Sequence, residues 1–137
     1  GFVKKDWKVL DVSGETTEHP ASAAIDEQAD TYWVSGGQES PYVFALDLGM
    51  EKELAGFAYT PQKKDAKGLI AAGRLEMSAD GKTWKKVEDF TFGNLVNDPT
   101  KRYHYFKKAV KARYVRLVAT EVTSGADFAT MAELDIF

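Results

Sequence analysis

Residues 42–49, YVFALDLG, decide the fold. Tyr42, Phe44, Leu46 and Leu48 fall on one face at period two, and Asp47-Leu48-Gly49 reads as the end of the run. That is a half-buried strand, and the same pattern recurs outward from it. Residues 7–12 alternate until Ser13-Gly14-Glu15-Thr16-Thr17 breaks them. Gly36-Gly37-Gln38-Glu39-Ser40-Pro41 is a flexible connection into the deciding strand. Residues 54–60 form another strand, stopped by Pro61, and a lysine-rich loop runs on to Gly68. Residues 74–78 lead into Ala79-Asp80-Gly81-Lys82, where Asp-Gly suits a tight hairpin turn. Residues 84–92 would return, with alternation that slips between Val87 and Phe90 as a bulge would cause. After a long turn over 93–99, strands at 102–106, 113–120 and 131–137 complete the set. Only 69–72 and 128–131 suit single helical turns.

Short strands separated by Gly, Pro and Asp turns, without long helices, predict an all-β, eight-stranded antiparallel sandwich. Nothing repeats internally and no linker divides the chain, so residues 1–137 read as one domain. The abrupt start at Gly1-Phe2-Val3 reads as a module excised from a larger multidomain protein. A chain of 137 residues with 44% hydrophobic content supports one substantial core. With 18 basic and 21 acidic residues, a net charge of −3 gives no global field for nucleic acid, so no nucleic-acid partner is expected. The basic clusters at Lys63, Lys64 and Lys67, and across 101–116, read as solvated faces. There is no cysteine, which excludes a disulfide framework, a thiolate metal site and a cysteine nucleophile. No apolar run approaches the ~20 residues needed to span a bilayer.

Residues 23–33, AAIDEQADTYW, gather Asp26, Glu27, Asp30 and Thr31 between apolar anchors. Such a span either holds a hard cation or caps backbone groups of the loop. Glu133, in MAELDIF, would close the same site if the two ends of the chain meet. Asn94 and Asn97, the only asparagines, share one loop; their amides suit sugar hydroxyls and equally suit tight turns. For catalysis the residues offer little. His19 and His104 are the only histidines, and neither sits in a nucleophile or metal motif.

In order, AIDEQADTYW, YVFALDLG, FAYTPQ, RLEMSADGKTW, ARYVRL and ATMAELDIF cover nearly the whole chain. Together they resemble the discoidin domains, also called coagulation factor V/VIII type C domains. The likeness is strongest to the family 32 carbohydrate-binding modules appended to bacterial glycoside hydrolases, and FTFGNLVNDP with KARYVRLVA is similar to accessory domains of fucosidases. The resemblance implies a galactose-binding-like jelly roll, with its chain ends together and its binding loops at one tip. It also implies a structural calcium ion held by Asp26, Thr31 and Glu133, with Asp30 as a further donor and backbone carbonyls around Ala23 and Ala132. Glu27 and Gln28 stand where the family usually has Gly and Asp or Asn. Of the family's sugar readers, Phe128 matches the aromatic platform, while Val34, Gln62 and Lys67 replace His, Arg and Asn.

The expected function is therefore a non-catalytic module that binds a glycan and tethers a secreted glycoside hydrolase. Loops 34–40, 62–69, 93–99 and 124–130 would form the tip. Phe128 would stack, and Gln62, Lys63, Asn94 and Asn97 would make polar contacts. Lys63 and Lys64 also read as plain solubilising charges, and Trp33 as core. The parent catalytic domain is expected as a partner in cis, and the setting as secreted, periplasmic or cell-surface. The alternative is a structural domain packed against its parent, with lapsed sugar binding. Phospholipid binding ranks last, because the tip loops hold lysines, asparagines and glycines rather than large apolar groups.

Overall fold

The computed structural model describes residues 1–37 and 39–137; Gln38, within the connection expected at 36–41, lies outside them. The chain is all-β, as the alternation predicts. Its strands are β1 (Lys8–Val12), β2 (Trp33–Val34), β3 (Tyr42–Thr60), β4 (Ile70–Ser78), β5 (Lys85–Thr91), β6 (Arg102–Val122), β7 (Thr130–Met131) and β8 (Glu133–Ile136). Hydrogen bonding runs in the order β1-β3-β6-β4-β5, with β8 added to β3 and β2 paired to β7, all antiparallel.

Two of these strands are longer than the sequence pattern suggests. Gly49 does not end the strand begun at Tyr42. At φ +89° it bends the chain, and a Cβ there would lie 2.9 Å from Asp6, so the site tolerates only glycine comfortably. Residues Leu48 to Glu51 stand opposite Arg113, and pairing resumes at Lys52 with Ala112. The strands expected at 42–48 and 54–60 are thus one bent strand. Those expected at 102–106 and 113–120 are likewise one, with a second irregularity between Leu54 and Gly56. Each long strand contributes to both layers. Phe57, in the second half of β3, meets Phe90 of β5 edge-on at 5.1 Å, and Trp33 meets Phe44 in the first half at 5.1 Å. Between the layers Phe44, Leu46, Phe57, Tyr59 and Trp33 are fully buried. Trp33 is core, as expected.

Smaller expectations also shift. Residues 70–72 belong to β4 rather than to a helical turn, because their alternation continues into the strand. Thr130–Met131 form β7 and Phe128 lies in a bend; the 3₁₀ turns fall instead at Ala21–Ala24 and Thr123–Gly125. The β4–β5 connection is not a two-residue hairpin. Only Gly81 takes a positive φ there, and the Asp80 carboxylate accepts the N–H groups of Lys82 and Thr83 to wind a wider loop. The slip in β5 is a bulge at Val87, since Leu75 pairs with Glu88 and Glu76 with Lys86. The last expected strand divides at Ala132, where β7 leaves β2 and β8 joins β3.

The register fixes one end of the sandwich. Thr60 pairs with Glu133, Tyr59 with Arg102, Ile70 with Val122, Ala72 with Thr91, and Val34 with Thr130. The loops leaving these pairs therefore emerge together, and they include the acidic stretch, the lysine loop, the asparagine loop and the Phe128 loop.

Candidate functional site

The Phe128 loop and the lysine loop are sewn to each other. Thr123 Oγ1 and Ser124 Oγ both donate to the Ala66 carbonyl (2.6 and 2.8 Å), and Thr130 N–H donates to the Gly68 carbonyl at 2.7 Å. The Phe128 ring is half-buried and lies directly against Gly68, which holds φ +70°. Ser35 Oγ accepts the Ala129 N–H at 2.9 Å and fixes the other side of this loop. One ring edge is thus pinned to backbone while part of the ring stays open to solvent.

Gln62 sits differently from its expected contact role. It is 3% exposed, and its amide is already occupied. Oε1 accepts from Lys64 N and Asp65 N, and Nε2 donates to the Asp65 side chain and carbonyl and to the Lys67 carbonyl. The amide shapes the loop from within instead of reaching outward. Asp65 joins it: the Lys67 N–H and the Gln62 amide hold the Asp65 carboxyl below the usual range. Lys63, Lys64 and Lys67 are exposed. Lys63 and Lys64, with Gln62, face Ala29, Asp30 and Tyr32 across a cleft of about 300 Å³. Tyr32 is itself stacked on His19, 4.2 Å between ring centroids, which immobilises it.

Asn94 and Asn97 are exposed in their loop. Asn94 holds φ 59°, and its Oδ1 accepts from Asn97 Nδ2 at 3.2 Å. Arg102 ties the same loop by donating to the Gly93 and Asp98 carbonyls, and Leu95 anchors it in the core. The asparagines therefore serve the turn with at least part of their hydrogen-bonding capacity.

In the acidic stretch the oxygens converge on Thr31. Its hydroxyl lies 2.6 Å from Asp26 Oδ2, 3.3 Å from the Gln28 carbonyl and 3.5 Å from the Ala23 carbonyl. One hydroxyl proton serves only one of these three acceptors. The donor set therefore fits a hard cation, which takes several oxygens from mixed side chains and carbonyls. Glu133 adjoins the same loop: its Oε1 accepts the Glu27 N–H at 3.0 Å, and Glu27 adopts φ 60° to deliver it. Its other oxygen meets Lys4 Nζ. Burial pushes the Glu133 carboxyl up, against the opposing pull of Lys4 and the Glu27 N–H. Ala132 is buried, and its N–H donates to Thr60. Asp30 lines the cleft it shares with Lys63 and Lys64. Among the described residues no three His, Cys, Asp or Glu side chains group together, so any such site would be a mixed one. Gln28 and Lys4 were not legible as parts of it. Gln28 acts through its carbonyl, which any residue carries, and Lys4 is remote in sequence.

This architecture is that of a factor V/VIII-type β-sandwich. The F5/8 type C domain family matches residues 9–134, and the chain belongs to that family. Domains of this type are usually non-catalytic. The chain is 26% identical to the Clostridium perfringens domain CpGH89CBM32-5, solved in complex with GalNAc-β-1,3-galactose, with a TM-score of 0.87 over 98% of this chain and 96% of that one. It is 27% identical to a galactose oxidase of Gibberella zeae, over 98% of this chain and 20% of that protein. It is 29% identical to a sialidase of Micromonospora viridifaciens, over 93% of this chain and 21% of that protein. The chain thus spans about one-fifth of the length of the curated relatives it matches. Among the described residues, no helix is long and apolar enough to cross a membrane.

Proposed function

We propose that the domain is a carbohydrate-binding accessory module that tethers a secreted glycoside hydrolase to glycans. The observation that carries this reading is the Phe128 ring, pinned on Gly68 at the loop end and partly open. A rigid ring presents a face to the C–H side of a sugar at little entropic cost. The neighbouring cleft adds what a pyranose needs beside it: the Tyr32 ring, the Asp30 carboxylate and the Lys63 and Lys64 ammonium groups. Gln62 acts indirectly, by holding the loop that carries Lys63. Asn94 and Asn97 flank this end as further polar groups. Support also comes from the relative that carries GalNAc-β-1,3-galactose. Tethering raises the local concentration of a catalytic partner on its substrate even when each contact is weak. A secreted, periplasmic or cell-surface setting goes with that role.

A structural calcium ion belongs to the same proposal. Asp26, Thr31 and the Ala23 and Gln28 carbonyls would hold it, with Glu133 beside them. Its chemistry there would be charge neutralisation that rigidifies the loop. Binding only to the folded state, it would raise the melting temperature, and a chelator would lower it.

The test of the sugar reading is a glycan array screened with calcium present, on the wild type and on Phe128→Ala. A hit on a defined terminal sugar, lost in the variant, is the expected result. A blank array with folded protein overturns it, in favour of a domain that packs against its parent. The internal use of the Gln62 amide is the observation on that side.

A further inference from the structure

A second set of aromatic rings lies on the outer face of the layer formed by β8, the second half of β3 and the first half of β6. Tyr103 and Tyr105 are 53% and 67% exposed, an unusual display for two large rings on one strand. Their planes lie within 12° of each other, with centroids 6.2 Å apart. Opposite them on β3 stand Ala58 and Gly56, both buried beneath the neighbouring side chains. Beyond them, on β8, Asp135 pairs with Ala58, and the Phe137 ring follows. Phe137 lies 5.3 Å from Tyr105 and 6.2 Å from Tyr103, centroid to centroid. Its backbone is pinned by hydrogen bonds with Ala55 and Gly56. A Cβ at Gly56 would come within 3.0 Å of that ring and 2.3 Å of the His104 carbonyl, so the glycine is what seats it. The result is a raised patch of three neighbouring rings over a buried, backbone-rigid base.

Polar groups border the patch at one end. Lys101 Nζ lies 5.2 Å from the Tyr103 ring centre and 3.3 Å from Asp135 Oδ2. Lys4 Nζ bridges Asp135 Oδ1, at 3.0 Å, and Glu133. These groups line a hollow of about 250 Å³ together with Thr60 and the Glu27–Gln28 backbone turn. Both ammonium groups there are paired to carboxylates, so neither stands free to select an anion or a lipid headgroup. What remains is a row of paired donors and acceptors beside rings, and that combination suits an uncharged polyhydroxyl ligand.

We propose that this face is a second glycan-binding site, separate from the Phe128 platform and adjoining the loop end at Thr60 and Lys101, which takes an extended segment of an uncharged oligosaccharide. Tyr103 and Tyr105 offer successive platforms along the strand, Phe137 extends the surface toward β8, and the Lys101–Asp135 pair reads hydroxyls at the end of the patch. A terminal sugar at the loop end and a chain segment on the face would give one domain two points of attachment to a polysaccharide, which increases retention by effective concentration.

The experiment is an amide chemical-shift titration of the 137-residue chain with uncharged hexasaccharides, one each of the cello-, manno-, laminari- and chito-series. Support requires shifts at residues 56–58, 101–105 and 134–137 with at least one of them, retained in Phe128→Ala. Tyr105→Ala should then weaken that binding at least about tenfold, as truncation of an aromatic anchor does. Because Tyr105 is so exposed, the variant should keep a wild-type spectrum elsewhere, and Tyr105→Phe should retain most of the affinity. No shift on this face with any of the four sugars overturns the site. So does unchanged affinity in Tyr103→Ala/Tyr105→Ala, or a wild-type dimer that Tyr105→Ala dissociates, which would make the face a contact between copies.

Discussion

Lys4 and Glu133, 129 positions apart, form a buried ion pair with side chains only 5% and 12% exposed. The contact joins the segment before β1 to the strand that ends the chain, and Glu133 in turn accepts the Glu27 N–H of the acidic loop. Burial alone disfavours both charges, so the pair holds because each neutralises the other and Asp135 adds a second acceptor for the ammonium. Removing Lys4 leaves a buried carboxylate without its counter-charge. Lys4→Met should cost about 3 kcal/mol, read from urea unfolding. Adding Glu133→Gln should recover part of that loss, because the uncompensated charge is then gone. A Lys4→Met domain as stable as wild type would mean that water already reaches Glu133.

Acid should loosen the fold through carboxylates on the other layer. Glu76 is 8% exposed, and although burial alone would raise its carboxyl, hydrogen bonds from Arg74 (2.9 Å) and Arg116 (2.5 Å) bring it below its ordinary value of 4.5. Arg113 does the same for Asp47, and the Thr83 and Lys82 N–H groups hold Asp80 at about 2. A depressed carboxyl binds fewer protons folded than unfolded. Its stabilisation is therefore complete above the ordinary carboxylate range and is lost as pH falls toward the lower folded values. Glu133 runs the other way, since its raised carboxyl takes a proton more readily in the folded state. The lowered groups outnumber it, so the melting temperature should fall from pH 5 downward. Glu76→Gln should be less stable at neutral pH by about 2 kcal/mol and show a shallower acid slope. An unchanged slope would remove Glu76 as a contributor.

Tyr59 carries a prediction about the core. Its hydroxyl, fully buried, donates to the Thr130 carbonyl at 2.8 Å and accepts the Ile70 N–H at 2.9 Å. Burial drives its ionisation well above the ordinary range, so it is a neutral phenol at every working pH. The hydroxyl fastens the two-residue strand β7 and the start of β4, the elements from which the Phe128 and lysine loops spring. Tyr59→Phe keeps the ring but strands a buried N–H, and it should cost about 1–3 kcal/mol. Faster amide exchange at Ile70 would locate the loss; a silent substitution would show that the N–H finds another partner.

The core was legible in the sequence because burial follows alternation: Phe44, Leu46, Phe57 and Tyr59 all point where period two puts them. The continuity of β3 and β6 was not, because Gly49 signals a break by composition but acts as a bend, and only the partner strand decides which. The Asp26–Thr31 cluster was readable as an oxygen-rich loop. Its link to Lys4 was hidden by distance along the chain, and the Gln28 carbonyl by being backbone. Gln62 illustrates a different limit. An amide in a tip loop reads as a reader of ligand, and nothing local says that it will turn inward. Tyr103 and Tyr105 did leave a trace, since RYHYF alternates rings on both faces of one strand. In a two-layer fold only one of those faces can be core.

Gly68 is where the loop end can be disturbed without touching a ligand group. At φ +70° it occupies a conformation that side chains rarely adopt, and a Cβ would lie 2.7 Å from the Phe128 carbonyl and 2.8 Å from two atoms of its ring. Backbone cannot yield cheaply here, because the Gly68 carbonyl accepts Thr130 N–H and its own N–H donates to Thr123. Gly68→Ala should therefore displace the Phe128 ring and cost about 1–3 kcal/mol through strain. If the ring is the sugar platform, affinity for any terminal sugar found on the array should fall at least about tenfold, while the Tyr103–Tyr105 face keeps its chemical shifts. Gly68→Ala that binds as wild type, with the ring demonstrably moved, would remove Phe128 from the binding site.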